Sequence, residues 1–162
     1  MRLPLFFVIF LGVATPVAAQ RQSLGIYSQW GAFREKERCF ALSEPDRAPR
    51  TSSIKPFASV GFWPRRGIGS QVHFRLSSRK RPNSAVLLKI DDRTFQLFAG
   101  GADAWAADPR ADAEIVAAMR TGIDMTIETR SERGTLVRNY YQLRGAATAI
   151  DAAAIACAQP RR

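Results

Sequence analysis

The chain has 162 residues, 46% of them hydrophobic, and carries 24 Lys and Arg against 14 Asp and Glu, a formal net charge of +10. That length holds one domain with a real core and is too short for two comfortable ones. A zinc site would need four ligands where only one histidine, His73, and two cysteines are present, and no Gly-rich phosphate loop, zinc finger or aromatic RNA-binding motif accompanies the charge, so neither a metal, nor a cofactor, nor nucleic acid is expected.

The first segment reads as an export leader. Arg2 gives a short positive start, Leu3 to Val13 is uncharged and apolar, and Val17-Ala18-Ala19 is the small-residue pattern cut by signal peptidase. The expected division is therefore 1–19 as signal peptide and 20–162 as the mature domain, starting at Gln20. An uncleaved anchor is the other reading, but Pro4 and Pro16 interrupt a stretch short of the roughly 20 residues that a span needs. No lipobox cysteine stands near the cut, and no later run approaches a transmembrane span. The expected location is the periplasm, with the outer-membrane periphery or the medium as variants. In that oxidising setting Cys39 and Cys157 can pair only with each other, and two free buried cysteines are the alternative.

Taken in order, Leu24 to Arg34 suits an opening strand, and Cys39 to Leu42 its hairpin partner across a 34–37 turn. Residues 45–55 are rich in proline, serine and charge and read as a loop. Phe57 to Trp63 is the next strand, ended by Pro64. Val72, Phe74 and Leu76 alternate with polar neighbours, which places His73 on the solvent side of a half-buried strand. Ala85 to Ile90 and Phe95 to Phe98 flank Asp91-Asp92-Arg93-Thr94, read as a turn.

After Gly100-Gly101, Asp108 caps a helix that Pro109 opens and Gly122 stops. Its stripe of Ile115, Ala118 and Met119 packs on a sheet with Trp105 expected beneath. Ile123, Met125 and Ile127 start another half-buried strand, paired through a 131–134 turn with Leu136 to Leu143. Ala146 to Ala158 closes the chain as a helix, with Ile150, Ala154 and Cys157 on one face. Seven to nine short strands with two short helices predict a mostly β fold, an antiparallel β-sandwich, with a single antiparallel β-barrel as second choice.

Several of these residues resemble the invasion-associated locus B (IalB) family of exported proteins. They are Trp30-Gly31-Ala32-Phe33 leading to Cys39, Ile90-Asp91 through Phe95-Gln96-Leu97, Ala104-Trp105-Ala106, Asp112 through Ile115 to Arg120 with Gly122, Ser131 with Arg133-Gly134, Tyr141 with Leu143-Arg144-Gly145, and Ala149 to Ala152 ending at Cys157. The resemblance implies a β-sandwich-like exported domain, periplasmic or associated with the outer membrane, and it brings no catalytic residues. Many members carry an extra cysteine near the first tryptophan, which is missing here.

The cations cluster at 34–38, 47–50, 65–66, 79–81 and 161–162. Such a surface attracts lipid headgroups, lipopolysaccharide or acidic glycans, although solvated arginines on loop tips are the plainer account. The candidate anion or partner surface is Trp63, Arg65, Arg66, Arg75, Arg79, Lys80 and Arg81, with Trp63 as aromatic anchor. The expected function is a non-enzymatic protein that binds an anionic envelope component or an envelope protein. One alternative is an envelope hydrolase or glycan-processing enzyme built on His73 with a serine, or on Asp91, Asp103, Asp124 and Glu128. Another is a secreted adhesin or inhibitor.

Overall fold

Strands with one apolar face must bury it, and in this chain ten of them do so by pairing edge to edge. A computed structural model describes residues 21–47 and 53–158. The leader, Gln20, Arg50 and the Arg161-Arg162 pair lie outside the described residues. The elements are β1 (Gln22–Tyr27), β2 (Trp30–Arg34), β3 (Cys39–Ser43), β4 (Phe57–Trp63), β5 (Ile68–Arg75), β6 (Val86–Ile90), β7 (Arg93–Gly100), β8 (Asp103–Trp105), α1 (Pro109–Thr121), β9 (Asp124–Arg130), β10 (Leu136–Gln142) and α2 (Ala146–Ala158). A short 3-10 turn, Pro64–Arg66, joins β4 to β5.

The strands form one sheet in the order β1-β2-β3-β4-β5-β8-β7-β6-β9-β10, and every neighbouring pair is antiparallel. The mostly β, antiparallel, two-helix domain is therefore present as a single curled, open sheet. A β-sandwich would divide the strands between two facing sheets. Here β8 pairs with β5 on one side and β7 on the other, and so joins what would have been the two halves.

The inner face carries the core, including Trp30, Ala41, Val60, Val72, Phe74, Leu88, Ile90, Met125, Ile127 and Tyr141. Helix α2 lies against β1 to β4, and α1 against β5. Cys39 on β3 is joined to Cys157 on α2 with Cα atoms 5.7 Å apart, which fastens the last helix to the third strand. The buried stripe of α2 is Ala146, Ala149, Ile150, Ala153 and Ala156. Ala154 and Cys157 flank it half-buried. Small side chains along this stripe let the helix approach the sheet closely.

Helix α1 forms as its ends dictate. The Asp108 carboxylate accepts from the Ala111 amide at 2.8 Å, Pro109 occupies the first turn, and Ile115, Val116, Ala118 and Met119 are buried. Gly122 stops it by close approach, because a Cβ there would press on Ile90, Asp91 and the Ala118 carbonyl. Asp112 on the buried side accepts from the Val72 amide at 2.7 Å. Strand β8 is only three residues long, so the helix supplies an acceptor to the part of β5 that β8 does not cover. Burial pushes the Asp112 carboxyl up, and the Val72 hydrogen bond only partly opposes this.

Three expectations change. The opening segment is two strands, since the chain reverses at Ser28-Gln29 with Ser28 at φ 55°. Trp105 lies on the outer face, because its register partner His73 points outward, and Ala104 is the residue of β8 that faces the core. Ile123 precedes β9 and is exposed, so only Met125 and Ile127 of that expected apolar row enter the core.

The two ends of the sheet are tied together. After β3, Asp46 donates to the Tyr140 carbonyl and Tyr140 donates to that of Arg47, and the Trp30 indole donates to the Gln142 carbonyl at 2.9 Å. Inside, Ser77 and Asn139 exchange hydrogen bonds between the end of β5 and β10. On both faces of the sheet, aromatic rings fold back over glycines two residues earlier. Phe33 lies over Gly31 and Trp63 over Gly61 on the outer face, and Tyr27 lies over Gly25 on the inner one.

Gly145 enters α2 at φ 91°, where a Cβ would run into the Tyr27 carbonyl oxygen. Gly145→Ala is therefore expected to cost about 3 kcal/mol or more, read from urea unfolding of the 20–162 chain. The Tyr141 hydroxyl is 1% exposed as a residue and is the buried side-chain polar atom without a partner among the described residues; burial drives its acidity far down. Tyr141→Phe should leave stability unchanged or raise it by about 1 kcal/mol, and a loss above that in the same unfolding experiment would contradict the assignment.

Candidate functional site

The cations gathered from the sequence separate along β5. Trp63, Arg65 and Arg66 lie at its start, and Arg75, Arg79, Lys80 and Arg81 at and beyond its end. Eight residues of strand set about 25 Å between the two groups. Trp63 belongs to an outer-face cluster over β2 to β4. There Phe33 and Phe40 are 5.5 Å apart, Arg21 lies over both, and Arg38 lies over Phe40 at 4.5 Å and Trp63 at 6.0 Å. Glu35 accepts from both arginines, at 3.1 and 2.9 Å, and these hydrogen bonds outweigh its partial burial and hold its carboxyl below the usual range. Arg65 reaches Glu37 at 3.5 Å, and Arg66 is exposed.

Beyond β5 the chain crosses to the far end of the sheet. Lys80 donates to the Gly101 carbonyl, Arg81 to that of Arg130, and Glu132 to that of Arg79, while Lys80 and Ser131 form a bridge. This fixes Arg79-Lys80-Arg81 beside the β9–β10 turn, which brings Arg130 and Arg133. Five cations, Arg79, Lys80, Arg81, Arg130 and Arg133, thus share one end of the fold with a single carboxylate from these two segments, Glu132. A cavity of about 470 Å³ opens there, lined by Arg79, Glu132 and Arg133, by the hydroxyl residues Ser53, Ser77, Ser78, Ser131 and Thr135, of which Ser77 is already bonded to Asn139, and by apolar side chains of the β9–β10 hairpin and of residue 54. Arg79 pairs with Glu132 at 3.1 Å, whereas Arg133 has no ion pair among the described residues.

Hydroxyls and guanidinium groups around a hollow supply donors to an oxyanion. Sequence reasoning missed Arg130 and Arg133 because Ser131-Glu132-Arg133-Gly134 reads as a turn, with Arg130 just before it. The available signal was its basic composition, but not its distance from residue 79.

His73 does face outward, and it has partners 30 and more residues away. Its Nε2 and the Asp103 Oδ1 are 2.8 Å apart, and the Arg75 Nε donates to the same oxygen at 2.9 Å. Trp105 stacks on its ring at 5.2 Å and Phe57 meets it edge-on at 5.0 Å. Partial burial works to raise the Asp103 carboxyl, and the hydrogen bonds from Arg75 and His73 overcome it and hold the group below the usual carboxylate range. Ser59 stands opposite His73 in register, but its hydroxyl donates to the His73 backbone carbonyl and not to the ring.

The other acids are engaged elsewhere. Asp91 accepts from the Ile123 and Asp124 amides at a turn, and Glu128 is held low by Lys89 at 2.6 Å and Arg138 at 3.1 Å. Asp124 begins β9 next to that Asp91 turn.

No protein-family model, curated protein or solved structure matches this chain. No helix among the described residues is long and apolar enough to cross a membrane.

Because folding lowers the pKa of Asp103, its contribution is fully present above the ordinary carboxylate range and is lost as the pH falls through the lowered folded value. Asp103→Asn should therefore cost about 1 kcal/mol at pH 7, and the difference from the parent should shrink toward zero as acid takes the pH below the ordinary carboxylate range. Urea midpoints measured across pH 2–7 check this.

Proposed function

We propose that this chain is a non-catalytic, exported binding protein that holds the phosphate or carboxylate of an envelope component at the cavity between Arg79 and Arg133. One observation carries the reading: the five cations and four hydroxyl side chains that two distant segments, 77–81 and 130–135, bring to one end of the fold, with Ser53 from a third. The charge draws an anion over several ångströms, and the hydroxyls receive it at contact. The leader-like first segment and the Cys39–Cys157 disulfide support an oxidising, periplasmic setting. The resemblance to the invasion-associated locus B family, an exported class, belongs to the same proposal. Trp63, Arg65 and Arg66 are then a separate surface, and Arg75 is committed to Asp103.

The test uses the oxidised 20–162 chain with lipopolysaccharide micelles and with phosphatidylglycerol vesicles, against phosphatidylcholine vesicles. Binding to at least one anionic surface is expected, falling about tenfold or more in Arg79→Glu/Arg133→Glu and weakening strongly between 50 and 500 mM salt, with ranges set by ordinary charge screening. Equal binding to phosphatidylcholine sinks the reading. So does an Arg65→Glu/Arg66→Glu variant that loses as much as the pocket variant.

A further inference from the structure

A second feature lies outside the anion cavity, on the outer face of β5, β8 and β7. His73, Trp105 and Phe98 are successive register partners across these three strands, so their side chains stand in one row. The His73 and Trp105 rings are within 5° of parallel, Phe57 supports the far side of His73, and Phe98 at the open end is 69% exposed. Over β2 to β4 the aromatic floor is covered by Arg21 and Arg38. Among the described residues no guanidinium lies over Trp105 or Phe98; His73 covers one face of Trp105, and no other ring stacks on its second face or on Phe98.

Beside the row stands a polar pair with capacity left over. Asp103 uses Oδ1 for both His73 and Arg75, and its Oδ2 takes no hydrogen bond among the described residues. Arg75 donates through Nε, which leaves its two terminal nitrogens without a hydrogen-bond partner there. An open acceptor and open donors therefore sit side by side, half-buried, next to a flat apolar surface. Their charges cancel, so this patch has no net attraction for an anion.

We infer that the row is a binding site for a pyranose ring of a neutral glycan. The ring's C–H face packs on Trp105 and Phe98, one hydroxyl donates to Asp103 Oδ2, and the adjacent hydroxyl accepts from Arg75. A vicinal diol is the ligand group that needs one acceptor and one donor a few ångströms apart, and a pyranose is the scaffold that sets such a diol beside an apolar face. The rigid ring stack built on His73 holds the surface in place before the sugar arrives, which limits the ordering cost of binding. This site does not depend on the anion cavity, and different variants report on the two.

The oxidised 20–162 chain is titrated with maltotetraose, cellotetraose and an α-linked mannotetraose, each to about 10 mM, the range in which weak sugar sites saturate. Saturation-transfer NMR reads the sugar, and the indole N–H resonances of Trp30, Trp63 and Trp105 read the protein. At least one tetrasaccharide is expected to bind at about 1 mM or tighter and to move the Trp105 indole while leaving Trp30 and Trp63 in place. Phe98→Ser, at an exposed position that the fold does not need, should weaken it about fivefold or more with an unchanged melting temperature, and Asp103→Leu should abolish it.

Arg79→Glu/Arg133→Glu should leave it intact. The proposal is overturned if none of the three sugars moves the Trp105 indole, or if the shift survives Phe98→Ser undiminished. It is equally overturned if phosphatidylglycerol vesicles or a protein partner move that resonance where sugars do not, since the face would then serve a lipid or a protein.

Discussion

The tie between the two ends of the sheet is the constraint on which the other features depend. Ten antiparallel strands in one sheet would twist apart as an open ribbon, leaving one face to water. Here the segment after β3 exchanges backbone hydrogen bonds with Tyr140 on β10, the Trp30 indole reaches Gln142, and Ser77 holds Asn139 across the interior. These bonds keep the sheet curled around a common interior, and they give both helices a place to bury their stripes. The disulfide acts more locally, fixing α2 to β3.

The same tie decides where charge goes. To reach β6 from β5, the chain must pass the end of the sheet, and its backbone pairs with Gly101, Arg130 and Glu132 on the way. Arginines on the β9–β10 hairpin and on the crossing segment are gathered at that end because the backbone has to go there. The outer face of β5, by contrast, neutralises Arg75 with Asp103 and stacks rings beside it. One molecule thus presents a cationic end and an uncharged aromatic flank.

Much of this was legible in the residues, wherever a local signal spoke. Phe57–Trp63 and Ala146–Ala158 were readable to the residue, since Pro64 ends one and an unbroken alanine-rich run defines the other. Asp108, Pro109 and Gly122 fixed α1. The turn at Ser28-Gln29 was hidden because it holds Ser28 at φ 55° without the glycine or asparagine that usually marks a tight hairpin, and three-residue β8 is too short for any period to show. Without β8, nothing indicated that the strands belong to one sheet, that Trp105 faces outward, or that His73 has a carboxylate. Those are long-range facts, set by which strand lies next to which. The long-range pairing of Cys39 with Cys157 was the exception, because two cysteines admit only one bond.

The rings folded over glycine give the outer surface its relief. At Gly31 and Gly61 the missing side chain is a recess, and Phe33 and Trp63 fill it from two residues downstream. Each glycine and its ring therefore behave as one unit: a larger residue at the first position evicts the second, and loss of the ring leaves bare backbone. Glycine in these strands does the work of an inlay, letting bulky side chains lie flush where they would otherwise stand up. The smoothness of that flank is written in pairs of residues, and neither member of a pair can drift without the other.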